Sequence, residues 1–223
     1  MSPPSAIARA ARPRAPSLRD LAYDAIKHQI ITCLLRPGEY VNEAQMSERL
    51  GFGRTPVHQA LDRLMIEGLV DIMPRKGVVV RSLSLHDLMQ VTEARLLNEP
   101  HGARLAARQA SDRDIARLQD ILDRFAPAIA ARDIESMITL DRDFHAGILA
   151  AGQNAVLEDI VLKLNDRSLR FWFVSLAADQ QPGAVLREHQ AILDAIRARD
   201  ADAAEAAMAG HIRSFRHNAA SHI

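Results

Sequence analysis

The chain has 223 residues, 48% of them hydrophobic, which supplies enough apolar surface for folded cores and excludes a disordered chain. Its single cysteine, Cys33, excludes an internal disulfide, and no stretch reaches the roughly 18 to 20 apolar residues of a membrane span, so we expect a cytoplasmic protein. The net formal charge is zero, but residues 1–82 carry 12 Lys and Arg against 8 Asp and Glu while residues 83–223 carry 16 against 20, which favours approach to phosphate by the N-terminal part alone.

The N-terminal part predicts a tail followed by three helices. Residues 1–16 are rich in Pro, Ala and Arg and lack hydrophobic periodicity, so we expect a flexible basic tail. Apolar residues recur at helical spacing over residues 18–35 and predict the first helix. Asn42 is a suitable N-cap for a second, short helix, and Thr55 followed by a proline is a suitable start for a third helix that ends near Glu67.

Two β-rich runs follow the third helix. Residues 69–72 and 78–80 consist mostly of Leu, Val and Ile, and the basic turn 73–77 between them predicts a β-hairpin. Three helices followed by such a hairpin indicate a winged helix-turn-helix domain over residues 17–82.

After residue 82 every segment has helical periodicity. The breaks between segments predict six helices, at about residues 84–109, 112–131, 134–151, 154–178, 183–199 and 201–219. Their short connections favour antiparallel neighbours. We therefore predict a mainly α fold, with an N-terminal winged helix-turn-helix and a C-terminal all-α antiparallel helical bundle over residues 83–223. We expect this bundle to bind a small effector molecule and a metal.

Residues 35–80 resemble the DNA-binding domain of the GntR family of transcription regulators. The resemblance rests on a Pro-Gly turn, on Arg54-Thr55-Pro56-Val57, on Glu67-Gly68-Leu69 and on the wing glycine Gly77, which occur in the family's order and spacing. It implies that this domain reads DNA.

The C-terminal part resembles the all-helical ligand-binding domain of the FadR-type branch of that family. The matching residues are Asp141-Arg142-Asp143-Phe144-His145, Gly152-Gln153-Asn154, Glu188-His189 and His211. Six helices rather than seven favour the shorter, VanR-like version of the domain. The acyl-CoA-binding member that names the branch lacks this metal pattern, so the resemblance points away from acyl-CoA as the effector.

The start of the third helix is the predicted DNA-reading segment. The first residues of the second helix of a helix-turn-helix enter the major groove, where an arginine can bind O6 and N7 of guanine. The residues predicted to contact DNA here are Arg54, Thr55, His58 and Gln59. Three apolar residues of the same helix are expected to point into the core instead, namely Leu61, Leu64 and Met65.

The wing adds predicted contacts at Arg75, Lys76 and Gly77, because two cations on a glycine turn can approach the backbone phosphates. One feature departs from the family pattern: this chain has His58-Gln59 where relatives usually have Arg-Glu. A histidine has a shorter reach and only a fractional charge near neutral pH. The family's operator pattern therefore does not transfer to this chain.

Four polar residues lie at core-facing positions of three predicted bundle helices. Asp141 and His145 are four residues apart and share one helix face, while His189 and His211 each lie in an apolar stripe of a later helix. Buried polar groups cost free energy unless they are paired, and one carboxylate with three imidazoles suits a divalent transition metal such as Zn, Ni or Mn. The alternative is a polar core cluster without a metal.

A cation and an amide are the candidates for binding a small organic acid beside this metal. Arg95 and Asn165 each lie between apolar residues on one face of a helix, so both are predicted to point inward. The alternatives are an ion pair between Arg95 and Glu99, and a hydrogen bond from Asn165 to neighbouring backbone.

These expectations combine into a homodimeric regulator, usually a repressor in such families, that binds a palindromic double-stranded operator and responds to a small organic acid. We expect the first bundle helix, which continues from the wing, to carry the ligand-induced change. The alternatives within regulation are an activator or a metal sensor in which the ion is the signal. A metal-dependent hydrolase is a further alternative, but no residue is spaced to serve as its general base, so we expect a protein that is not an enzyme.

Overall fold

A computed structural model describes residues 16–73, 77–177 and 182–222. The helices and strands in chain order are α1 (Leu18–Ile31), β1 (Tyr40–Val41), α2 (Glu43–Leu50), α3 (Arg54–Ile66), β2 (Val70–Met73), β3 (Gly77–Val80), α4 (Leu85–Gln109), α5 (Asp112–Ala131), α6 (Ile134–Ala151), α7 (Ala155–Ala177), α8 (Pro182–Arg197) and α9 (Ala201–Ala220). This order confirms the predicted mainly α fold. The predicted tail lies outside the described residues except for its last residue. No helix within the described ranges is both long and apolar enough to cross a bilayer.

Helix α1 is shorter than its hydrophobic pattern predicted. Ser17 and Asp20 form a capping box at its start, each side chain accepting a hydrogen bond from the backbone N–H of the other residue. At its end the hydroxyl of Thr32 donates to the carbonyl oxygen of His28 at 2.7 Å, and Cys33 has a φ of 52°. A left-handed backbone conformation terminates a helix, so the apolar residues beyond it belong to a turn.

Helix α3 begins at Arg54, which corrects the predicted start at Thr55. The N-cap is Gly53 in an extended conformation, and no side chain caps the helix. Thr55 and Pro56 therefore lie inside the first turn, where a proline removes only an N–H that has no partner within the helix. Arg54 is consequently the first residue of α3, the helix predicted to read DNA.

The wing contains a third strand that the sequence did not indicate. β1 pairs antiparallel with β3, placing Tyr40 opposite Val79, and β2 pairs with the other edge of β3, placing Val70 opposite Val80. The strand order is therefore β1-β3-β2. A two-residue strand is too short to show alternation, so only its pairing reveals it.

The bundle encloses the core of the C-terminal domain. Helices that follow one another, such as α5 and α6 or α8 and α9, pack together across short turns and therefore run antiparallel, while α4 packs along α9. Phe125, Phe144 and Ile148 are almost completely buried in this core. Gly102 permits close packing of α4 on α6, because a Cβ atom there would lie 2.8 Å from Cδ2 of Leu149.

Candidate functional site

Four side chains from three helices meet inside the bundle: Asp141 and His145 of α6, His189 of α8 and His211 of α9. We call these four residues the His/Asp cluster. Each offers one metal-binding atom, and these atoms all lie within 4.8 Å of one another. None of the four residues is more than 6% exposed. The structure therefore brings together the four residues that the sequence predicted as metal ligands.

Several nitrogen atoms of the cluster are buried without a hydrogen-bond partner. Within the described residues, Nε2 of His145 and both ring nitrogens of His189 have none. The carboxylate of Asp141 faces them, with its Oδ1 3.4 Å from Nε2 of His189 and 4.0 Å from Nε2 of His145. Buried, unpaired polar atoms cost free energy, and a cation between them would remove that cost. This donor set fits a divalent metal ion.

Two glutamates orient the histidine rings. Oε2 of Glu99 lies 2.9 Å from Nδ1 of His145, and Oε2 of Glu188 lies 2.9 Å from Nδ1 of His211. A carboxylate on one ring nitrogen fixes the tautomer and directs the other nitrogen toward a metal. From the sequence, Glu99 was expected only as an ion-pair partner of Arg95, and no contact was predicted for Glu188. The detectable signal for Glu99 was its place one turn after Arg95 on the same helix face.

The buried environment keeps the cluster ready for a cation. Burial lowers the pKa of His189 well below its usual value, and the neighbouring His211 and His145 lower it further. Burial also lowers the pKa of His211. Burial opposes ionisation of Glu99, but Arg95 and His145 outweigh it and hold the pKa of this carboxyl well below its usual range. The site thus combines two imidazoles, His189 and His211, whose neutral, metal-binding form is favoured, with an ionised carboxylate, Glu99, behind the ring of His145.

A cavity of about 30 Å³ lies beside the His/Asp cluster. Asp141 and His211 form part of its wall, so the cavity opens directly onto the cluster. Its other lining residues include Arg95, Ser168, Trp172, Ser175 and Phe215. Hydroxyl groups, aromatic rings and one cation on a concave surface are typical of a site for a small polar ligand.

Arg95 forms the ion pair with Glu99 that was its predicted alternative, and it also lines the cavity. It forms a buried ion pair with Glu99, with Nε 2.5 Å from Oε1 and Nη2 3.1 Å from Oε2. Its guanidinium also lies 5.4 Å from the ring centre of Phe215 and lines the cavity. The charge of Arg95 is therefore already balanced in part before any ligand enters.

Asn165 points inward as predicted, but the structure does not show the backbone hydrogen bond that was its alternative. It is fully buried on α7, but it does not appear among the described residues that line the cavity. The alternative of a bond to neighbouring backbone is also wrong, because neither Oδ1 nor Nδ2 has a hydrogen-bond partner in the described part of the chain. Of the two predicted effector-binding residues, the structure therefore shows Arg95 among the described residues that line the cavity, whereas Asn165 is not one of them.

Helix α3 presents its predicted DNA-contacting side chains to the solvent. The exposed residues are Arg54, Thr55, His58 and Gln59. Leu61 and Leu64 are buried as predicted, whereas Met65 is 40% exposed, which corrects its assignment to the core. Met65 lies one position past the buried stripe and therefore rotates toward the solvent.

Only one of the three predicted wing contacts can be placed. Arg75 and Lys76 lie outside the described residues. Gly77 begins β3 with a φ of 89°, a conformation that residues with side chains rarely adopt. A glycine at the start of β3 is therefore required by the backbone of the hairpin, whatever its part in DNA contact.

His58 lies between two carboxylates on the reading surface. Its Nδ1 is 3.2 Å from Glu43 of α2, and its Nε2 is 3.6 Å from Asp62, one turn further along α3. The hydrogen bond with Glu43 and the charges of Asp62 and Glu43 raise the pKa of His58 above 6.5. The protonated ring offsets two negative charges that would otherwise repel the phosphates of DNA.

We expect operator affinity to fall as pH rises through the raised pKa of His58. Below that pKa the ring of His58 is positively charged and attracts the DNA phosphates. Above it, the negative charges of Glu43 and Asp62 are no longer offset and repel the phosphates. A Glu43→Gln variant, which removes the main cause of the shift, should move the fall to lower pH, and His58→Gln should abolish it and change the salt dependence by about one unit of slope. Titration of the operator between about pH 5.5 and 8.5 measures this pH dependence of affinity.

The control for the pH dependence is His86→Gln, which replaces an exposed histidine of the bundle. A pH profile of operator affinity that His58→Gln leaves unaltered would contradict the role assigned to His58.

Comparisons with known proteins agree with this arrangement of domains. The family model described as bacterial regulatory proteins, gntR family, matches residues 18–80, and the FCD domain model matches residues 90–214. The HTH-type transcriptional repressor RspR of Escherichia coli is 28% identical over 193 residues, which cover 86% of this chain and 85% of that protein. The Uxu operon regulator of Haemophilus influenzae is 31% identical over 194 residues, which cover 78% of this chain and 71% of that protein.

The solved structure of Escherichia coli McbR/YncC shares the fold. It superposes with a TM-score of 0.83 at 23% sequence identity, covering 90% of this chain and 95% of that chain. The family and these relatives are regulators of transcription and not enzymes. With a DNA-reading domain followed by an FCD domain that spans more than half of its length, this chain belongs to the FadR-like branch of the GntR family and is a DNA-binding transcriptional regulator.

Proposed function

We propose that the protein is a homodimeric repressor whose affinity for a palindromic operator changes when a small carboxylate binds beside a divalent metal. The metal would be held by the His/Asp cluster. The observation that carries the proposal is the convergence of buried, unpartnered ligand atoms beside a cavity that also contains Arg95. The repressor assignment is supported by the name of one relative, the transcriptional repressor RspR.

The charges around the cavity make the metal a requirement for binding a carboxylate. Without a metal, the carboxylates of Asp141, Glu99 and Glu188 outnumber the guanidinium of Arg95 among these described residues, so together they repel an anion. A divalent cation in the cluster removes the excess negative charge. Four protein ligands also leave open positions on a metal that accepts six ligands, such as Ni or Mn, or on Zn when its shell expands to five, and a carboxylate oxygen can take one of them.

The size of the cavity favours a second candidate within the same class. A volume of about 30 Å³ holds the centres of only a few water-sized groups. A ligand larger than this cavity would have to move its walls. A metal sensor, in which the ion itself is the signal and water fills the remaining positions, therefore stays as the alternative.

The test combines metal analysis with a ligand screen. Protein stripped with a chelator is expected to unfold at a higher temperature when Zn²⁺, Ni²⁺ or Mn²⁺ is added, with about one ion bound per subunit. Sugar acids, hydroxy acids and dicarboxylates are then screened with and without the metal, and an effector should raise the unfolding temperature only when the metal is present. Operator titration with metal alone separates the two candidates, because a metal sensor responds fully without any acid. A protein that binds no metal, or an acid that stabilises the metal-free protein equally, would contradict the proposal.

A further inference from the structure

Helix α7 contacts both the cavity and the DNA-reading domain. One face of the helix lines the cavity with Ser168, Leu169, Trp172 and Ser175. The neighbouring face contacts the winged domain through Asp166 and Arg170. The two sets of residues alternate along the same helical turns, so a rotation or shift of α7 moves both together.

The contact between α7 and the winged domain contains a buried ion pair. Nζ of Lys27, on α1, contacts Oδ2 of Asp166, and these residues are 7% and 1% exposed. Lys27 also lies 2.7 Å from the hydroxyl of Tyr23 and 3.3 Å from Oε2 of Glu67, at the end of α3. Separating this pair would leave Lys27 with Glu67, and Asp166 with Arg142, as their remaining charged partners in a buried interface, which costs more than breaking a surface pair.

The ion pair continues into a row of alternating charges. On one side, Nε of Arg142 donates to Oδ1 of Asp166 at 2.6 Å, and Arg142 directly follows Asp141 of the His/Asp cluster. On the other side, Nε of Arg63 in the reading helix donates to Glu67 at 3.1 Å. The row therefore runs from the helix that carries two of the cluster's residues to the helix that contacts DNA.

A second contact holds the same face of α7. Nη1 of Arg170, which is 2% exposed, donates to the carbonyl oxygen of Arg81 at 2.7 Å, just after β3. Asp166 and Arg170 are four residues apart, one turn along the helix. The winged domain is thus tied to α7 at two successive turns, through α1 and through the end of the wing.

We propose that the Lys27–Asp166 pair fixes the orientation of the winged domain on α7, and that α7, with Arg142 of α6, transmits the state of the cavity to the reading helix. This inference rests on the proposed function, because it concerns how the same site controls DNA binding. A buried ion pair is either formed or broken, so the interface has discrete arrangements rather than a continuous range. Transmission through α7 is a route additional to the one predicted along α4, the first bundle helix.

The experiment follows hydrogen exchange of the full chain with and without Zn²⁺ after treatment with a chelator. In the wild type, Zn²⁺ should slow exchange in α6, α8 and α9 and also in α1 and α3. In Lys27→Met, which keeps the length of the side chain but removes its charge, the protection of α6, α8 and α9 should remain while that of α1 and α3 falls by about tenfold. The control is Lys163→Met, which removes an exposed ion pair with Asp159 on the same helix and should behave as the wild type.

A second variant separates coupling from folding. Lys27→Met with Asp166→Asn removes both charges and avoids a buried, unpaired carboxylate. If Zn²⁺ still protects α1 and α3 in this double variant as in the wild type, the inference is wrong while the proposed function stands. If Zn²⁺ slows hydrogen exchange in no segment of the wild type, the proposed function fails. The inference is then tested by hydrogen exchange of the metal-free proteins. Hydrogen exchange in α1 should then be about tenfold faster in the double variant than in the Lys163→Met control. Equal exchange rates in the two proteins would overturn the inference.

Discussion

A His189→Leu variant is expected to lose its metal while its metal-free form becomes more stable. His189 is completely buried, neither of its ring nitrogens has a partner within the described residues, and its ring stacks on Phe144 with centroids 4.5 Å apart. Leucine fills a similar volume without unpaired polar atoms, so the free energy of unfolding of the chelator-treated protein should rise by about 1–3 kcal/mol. Metal affinity should fall by more than about a hundredfold, because loss of a residue that only orients a ligand already costs 10- to 100-fold.

Elemental analysis of untagged protein and denaturant unfolding in the presence of a chelator measure the two effects. The matched control is His217→Leu, which removes an exposed histidine of α9 and should alter neither quantity. A fall in metal affinity together with a rise in the stability of the metal-free protein is specific to a metal site. Replacing a histidine that only supports the core would lower the stability instead. A variant that binds metal as the wild type does would remove His189 from the site, and a less stable metal-free form would show that the ring has a structural role.

An Arg54→Ala variant is expected to lose discrimination between its operator and other sequences while it keeps its fold. Arg54 is the exposed first residue of α3, and the N-cap is the backbone of Gly53, so the substitution disturbs neither the cap nor the core. A bidentate contact between an arginine and a guanine contributes about 1–3 kcal/mol of discrimination, which is roughly a 5- to 150-fold change in affinity.

The operator is first selected from random DNA with the wild type, and both proteins are then titrated at one salt concentration against the selected and a mutated sequence. Arg113→Ala removes an exposed arginine of the bundle and is the matched control for loss of charge. If Arg54→Ala lowers affinity equally for both sequences, the residue contacts phosphate and not a base. Unchanged binding would move the reading role to another residue of α3.

The sequence predicted helices well where a pattern of side chains extends over many residues. It predicted an element less well where the backbone conformation or pairing of one or two residues determines its position. All six bundle helices follow patterns of many residues, and their ends fall close to the predicted breaks. The start of α3 was misplaced because a threonine before a proline is a good cap by composition, whereas the extended backbone of Gly53 occupies that position. β1 was missed because pairing with β3, and not its own two residues, makes it a strand.

The sequence by itself determined that the four residues of the His/Asp cluster face the interior. A spacing of four residues places Asp141 and His145 on one face of α6, and apolar neighbours turn His189 and His211 inward, so helical geometry sufficed to collect the His/Asp cluster. Only the tertiary structure decided what those residues meet. The glutamates behind the histidine rings, the unpartnered amide of Asn165 and the Lys27–Asp166 pair depend on how separate helices pack. Periodicity fixes the direction of a side chain within its own helix, whereas a contact between helices depends on their distance, angle and register, which no single segment encodes.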